Sequence, residues 1–160
     1  MATNANNGDG SIHDASAVLK LFIDKDGRWF QNGAEIIHPA IYRQFNEMLE
    51  KKPDGGYRVR LGREICDVAV EDAPFVVTRL LEAQDGKLVL ELNDGSQENL
   101  DAQSLWIGAE NVPYTKVKGD VFHARFSRPA YYQLARFVES DAQEREFFLL
   151  LDGKRIPIKR

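Results

Sequence analysis

Pro39-Ala40-Ile41-Tyr42 returns ninety residues later as Pro129-Ala130-Tyr131-Tyr132, and this echo decides the fold. The apolar positions that follow keep step at the same offset. Ile41, Phe45 and Met48 align with Tyr131, Ala135 and Val138, at helical spacing. Tyr57, Val59 and Leu61 align with Phe147, Leu149 and Leu151, at the alternation of a strand. One inserted residue later, Gly62-Arg63-Glu64-Ile65 faces Gly153-Lys154-Arg155-Ile156. Matching helix and strand phases imply a duplicated supersecondary unit. One repetition of this length makes two related halves, not a solenoid, whose units are shorter and more numerous.

The segments around the echo complete each unit. Leu19, Leu21 and Ile23 alternate and predict an opening strand that stops at Asp26-Gly27. Trp29-Phe30 and Ile36-Ile37 flank Asn32-Gly33, a dipeptide that favours the positive φ angles of a type I′ hairpin turn. Pro39 suits the first turn of a helix, where its missing N–H costs nothing. The expected apolar stripe of that helix is Ile41, Phe45, Met48 and Leu49, ended by Pro53-Asp54-Gly55-Gly56. Strands are expected over 57–61 and 65–70, joined through Gly62.

A meander follows over 75–81, 87–92 and 97–100, with turns at Asp85-Gly86 and Asp94-Gly95. The stretch 104–107, carrying Trp106, reads equally as a short strand or a turn. Segments 114–118 and 121–126 then form a hairpin around Gly119-Asp120. A second helix starts at Pro129 with a stripe of Tyr131, Leu134, Ala135 and Val138, and a hairpin around Asp152-Gly153 closes the chain. The fold class is α+β: two hairpin–helix–hairpin units of mostly antiparallel sheet, joined by a β-meander. Residues 1–17 are almost free of large apolar side chains and are expected to form a disordered tail. The expected boundaries are 18–82 for the first subdomain and 83–160 for the meander with the second.

Bulk properties narrow the function. The 160 residues are 43% apolar and 29% charged, with a formal net charge of −4. Such a chain has no basic excess to draw it to nucleic acid or anionic lipid. No apolar run approaches the ~20 residues that span a bilayer, and no signal-peptide pattern opens the chain. Cys66 stands alone, which excludes an internal disulfide and suits a reducing cytoplasm.

Few residues carry candidate chemistry. Glu71 and Asp72 are adjacent carboxylates, capable in principle of binding a metal or of acid–base work. Neighbours in a strand point to opposite faces, however, and with Pro74 following, Asp72 is expected to make an Asx-type turn. His13, His38 and His123 lack the i, i+4 spacing of helical metal ligands, although His38 and His123 precede matching helices. Cys66 lies in a Val/Ile-rich strand and reads as a small buried hydrophobe. Neither a nucleophile elbow nor a phosphate-binding glycine loop occurs. Arg28-Trp29-Phe30 and Arg125-x-x-Arg128 are the best binding candidates, because arginine beside an aromatic can clamp an anionic or planar ligand. The competing reading buries Trp29 beneath the first helix and leaves Arg28 in solvent.

Residues 26–36, Asp54-Gly55-Gly56-Tyr57 and Val70-Glu71-Asp72-Ala73-Pro74-Phe75 resemble the bacterial family known as domain of unknown function 1285. Pro113-Tyr114, Val117-Lys118, Arg125-Phe126-Ser127-Arg128 and Tyr131-Tyr132-Gln133-Leu134 are similar to its C-terminal stretch. The resemblance runs from about Leu19 to Val138. It implies two related β-rich halves, each with a helix, and an association with signalling or small-molecule binding without an established activity. The chain departs from the family at Leu61-Gly62, where a Thr-Pro pair is usual. The resemblance brings no catalytic residues with it.

The favoured expectation is a non-enzymatic cytoplasmic ligand-binding or signalling module. Its small anionic ligand or protein partner would dock in a groove between the halves, near Arg28, Trp29, Arg125 and Arg128. No nucleic acid, membrane, metal or cofactor is expected. The alternative is a small metal-independent hydrolase using His38 or His123 with Glu71 or Asp72. A third class, an oligomer-forming structural protein with a dimer as its simplest state, would use an exposed sheet edge.

Overall fold

The structure, a computed structural model, describes residues 19–160. The N-terminal tail expected over 1–17, with His13, lies outside the described residues. Asn32 and Gly33 both take positive φ, 50° and 83°, and so close the expected hairpin of β2 (Trp29–Gln31) and β3 (Ala34–Glu35). That hairpin continues β1 (Leu21–Ile23). After α1 (Pro39–Met48) the chain makes a second meander of β4 (Leu49–Lys51), β5 (Tyr57–Leu61) and β6 (Glu64–Val70). β6 returns parallel to β1, so the sheet order is β3-β2-β1-β6-β5-β4.

The second half repeats this plan. β10 (Trp106–Ile107), β11 (Pro113–Val117) and β12 (Phe122–Phe126) precede α2 (Arg128–Ala135). β13 (Val138–Ser140), β14 (Phe147–Leu151) and β15 (Lys154–Ile158) follow it. A parallel bridge between Trp106 and Lys159 joins β10 to the end of β15, and the Ile107 N–H donates to the Lys159 carbonyl at 2.8 Å. Through that bridge the order is β12-β11-β10-β15-β14-β13, the same topology as the first half. The registers agree too. Leu49, Val59 and Cys66 lie side by side across β4, β5 and β6, as do Val138, Leu149 and Ile156 across β13, β14 and β15.

The extra meander, β7 (Phe75–Glu82), β8 (Leu88–Leu92) and β9 (Gln97–Asn99), enlarges only the second half. β7 runs parallel to β12, extending that sheet to β10-β11-β12-β7-β8-β9. A 3₁₀ turn at Ala102–Ser104 leads into β10, so the ambiguous stretch is a turn followed by a strand.

Three local expectations change. No residue is inserted between the copies at the last hairpin: Leu61 faces Glu64 and Leu151 faces Lys154, at an offset of ninety. The turns differ in type instead. Gly62 alone takes positive φ in the first, whereas Asp152 and Gly153 both do in the second. The first helix also ends sooner than expected, at Met48, because Leu49–Lys51 gains a sheet partner in Tyr57–Val59. Pro53-Asp54-Gly55-Gly56 is therefore a hairpin turn, in which the Lys52 N–H bonds the Gly56 carbonyl.

The third change concerns helix phase. Ile41 is 47% exposed and Tyr131 39% exposed, while Asn46, Ala130 and Leu134 are buried. Each helix turns a polar side chain inward where the core offers an unpaired donor. The Asn46 Oδ1 accepts the indole N–H of buried Trp29 at 2.8 Å. The Gln133 Oε1 accepts the Leu80 N–H at 2.7 Å, beside an irregularity in the pairing of β7 with β8. Satisfying a buried donor outweighs placing one more aliphatic side chain inside.

One apolar core runs through both halves, from Ile23, Trp29 and Val59 to Phe75, Leu90, Leu134 and Leu149. Asn93 ties the halves together at its rim. Its Oδ1 accepts the Val76 N–H and its Nδ2 donates to the Gly27 carbonyl, at 3.0 and 3.1 Å. Gly27 is required there: its φ is +78°, and a Cβ would lie 2.5 Å from that amide nitrogen. Among the described residues no helix is long and apolar enough to cross a membrane.

Candidate functional site

The Asp26-Gly27 turn between β1 and β2 is built by carboxylates. The Asp24 Oδ1 accepts the N–H groups of Asp26 and Arg28, and the Glu71 Oε2 accepts that of Lys25 at 2.7 Å. The turn projects toward the N-terminus of α2, where Ser127 caps the helix and Arg128 begins it. Between them lies a cleft of about 660 Å³. Lys25 and Asp26 form one wall, and Arg125, Arg128, Tyr131 and Tyr132 form the other. Glu110 also borders it.

Asp72 does not make the expected local turn. Its carboxylate reaches into the second half, where the Tyr114 hydroxyl donates to Oδ2 at 2.7 Å and the Arg125 Nη1 at 2.8 Å. The strand after β6 needs no Asx turn because β7 leaves at once to pair with β12. Burial raises the Tyr114 pKa, the Asp72 carboxylate raises it further, and together they push it up to about 12. Tyr114 stacks on Trp106, with centroids 5.4 Å apart, and the His123 ring tilts against both. Burial lowers the His123 pKa, outweighing the opposite pull of Asp72.

The four binding candidates do not share one groove. Arg28 and Trp29 border a smaller cleft of about 270 Å³, which meets the larger one at Asp26. Trp29 is only 1% exposed and stacks on Phe45, which matches the core-capping reading of this residue. The Arg28 Nε is held by the Asp24 Oδ2 at 2.7 Å. Arg125 is engaged by Asp72. Arg128 makes no hydrogen bond or ion pair among the described residues, so its guanidinium is available to a ligand. Of the acid–base candidates, Asp72 and His123 lie close together, Glu71 is occupied by the Lys25 backbone, and His38 borders neither cleft. Cys66 is a half-buried free thiol on β6. Among the described residues no group of three or more His, Cys, Asp or Glu side chains could hold a metal ion.

Two solved structures share this arrangement of halves. The crystal structure of a DUF1285 family protein from Silicibacter pomeroyi aligns with a TM-score of 0.72 and 25% identity, over 88% of this chain and 80% of that one. That of a DUF1285 family protein from Shewanella baltica aligns with a TM-score of 0.62 and 23% identity, over 76% of this chain and 94% of that one. The chain resembles the DUF1285 family. No protein-family model and no curated protein matches the sequence.

The stretches that carry the DUF1285 resemblance meet around the larger cleft. The segment 26–36 supplies Asp26 of its first wall, 70–75 supplies the Asp72 that anchors Arg125, and 125–134 supplies Arg128 and the tyrosines. Lys25, Tyr114 and the two tyrosines are site residues that the sequence reading missed. No sequence signal marked Tyr131: helical spacing assigned it and its counterpart Ile41 to the core, whereas both are exposed.

Proposed function

We propose that this DUF1285-like chain is a non-enzymatic cytoplasmic binding or signalling module whose small anionic ligand is held in the cleft between the halves. The observation that carries this reading is Arg128, a guanidinium without a partner among the described residues, in a cleft bordered by Lys25 and Arg125 as well as by the carboxylates of Asp26 and Glu110. No acidic side chain occupies the first turn of α2, so the positive end of the helix adds to the attraction. Arginine's planar fork fits a carboxylate or phosphate in two-point contact. The titratable groups nearby are poorly suited to catalysis. Tyr114 holds its proton far above neutral pH, and Asp72 is already engaged by two donors. Cytoplasmic residence rests on the lone cysteine.

A thermal-shift series with inorganic phosphate, sulfate, acetate and citrate tests the reading. A ligand that binds only the folded state at one hundred times its Kd adds about 2.7 kcal/mol of stability. At least one of these anions should raise the melting temperature of the native protein. Arg128→Ala should abolish that rise while leaving the unliganded melting temperature nearly unchanged, because the side chain has no partner among the described residues. An anion-induced shift that survives in R128A, or no shift with any anion, would overturn the assignment.

A further inference from the structure

Tyr131, Asn111 and Pro113 border a second cavity as well as the larger cleft, so the two spaces abut beside α2. The second cavity is about 280 Å³ and differs in character: Leu134 and Val138, Phe147 and Ile107 line it, and no charged side chain does. It opens to solvent, and through Asn111, Pro113 and Tyr131 it adjoins the cleft that Arg128 borders. Apolar side chains facing water are costly unless something covers them, and the cleft adjoining the opening carries Arg128, a cation unpaired among the described residues.

We propose that the ligand is an amphipathic anion, a carboxylate or phosphate carrying a medium-length alkyl tail. Its head sits at Arg128 and its tail lies along Leu134 and Phe147. This inference rests on the binding reading above and adds to it the class of ligand. Arg128 alone would select for charge. The limited volume of the apolar cavity, about 280 Å³, adds selection for length, so affinity should climb with each methylene and then stop once the cavity is full.

Straight-chain carboxylates from acetate to dodecanoate, kept below their aggregation concentrations, provide the test by isothermal titration. Each added methylene should tighten binding about three- to fourfold, up to a plateau. Ala135→Phe, at an exposed rim position of the cavity, should flatten the length dependence and leave acetate or phosphate binding as it is. Ser140→Phe, at another exposed rim position, provides the same test if the first variant folds poorly. Vesicles of phosphatidylglycerol, which keep their tails in the bilayer, should not compete, whereas free decanoate should. Binding by these vesicles equal to that of decanoate would overturn the tail pocket and assign the head site to lipid surfaces. A flat length series in the native protein, together with Arg128-dependent binding of short anions, would overturn the tail pocket and leave the anion site standing. If no carboxylate or phosphate binds through Arg128, both readings fall. A length dependence that persists in both rim variants would place the tail elsewhere and overturn the inference.

Discussion

Asp72 links the two halves through single atoms, and its environment makes the link sensitive to pH. Asp72→Ala removes the acceptor for both the Tyr114 hydroxyl and the Arg125 guanidinium, and should cost about 1–3 kcal/mol in urea denaturation. Tyr114 contributes a distinct signature. Its pKa in the fold is pushed up from 10.0 to about 12, so the folded protein holds a proton that the unfolded chain releases. The stability from this group is complete below pH 10 and declines as pH rises toward 12. The urea midpoint of the native protein should therefore fall between pH 10 and 12, and fall less steeply in Tyr114→Phe. Equal slopes for the two proteins would rule out Tyr114 as the titrating group.

Helix phase is where neighbouring elements overrule the local pattern. Phe45, Met48 and Leu49 of the expected stripe do pack on the core, yet Ile41 does not, and α1 turns so that Asn46 meets Trp29. α2 likewise presents Gln133 to β7 and exposes Tyr131. Mutations separate the two phases. Leu134→Ala, at a buried position, should cost about 2–5 kcal/mol. Ile41→Ser, at a position counted as core by spacing alone, should change stability by no more than about 0.5 kcal/mol. A large loss from the Ile41 change, measured by chemical denaturation, would restore the spacing-based phase.

At the scale of the whole molecule, duplication has produced two equivalent topologies that do not stand apart. The core is continuous across them, Asn93 bridges Gly27 to Val76, and β7 leaves the first half to complete the sheet of the second. Such sharing predicts one cooperative transition. Trp29 reports on the first half and Trp106 on the second. Denaturation followed by fluorescence of Trp29→Phe and of Trp106→Phe, each compared with circular dichroism of the same variant, should give coincident curves within each variant. Separate fluorescence and circular-dichroism midpoints within one variant would mean that the halves unfold independently.

The repeat, the α+β class and most hairpins were legible in the sequence because each is a local matter. Asn32-Gly33 and Asp152-Gly153 specify their turns within two residues, and alternation marks strands such as β5 and β14 without reference to any neighbour. β4 and β13 were not legible, since three residues after a helix become a strand only when a partner lies alongside. The cleft was half legible. Arginines could be marked as ligand-binding side chains from their chemistry, but which of them lacks a carboxylate partner depends on contacts across 53 positions, from Asp72 to Arg125. Local backbone preference and side-chain period are written in neighbouring residues. Pairing of charges, rotation of helices and the placing of a polar cleft beside an apolar cavity are decided only when distant segments pack, because their energies depend on which groups exclude water from one another.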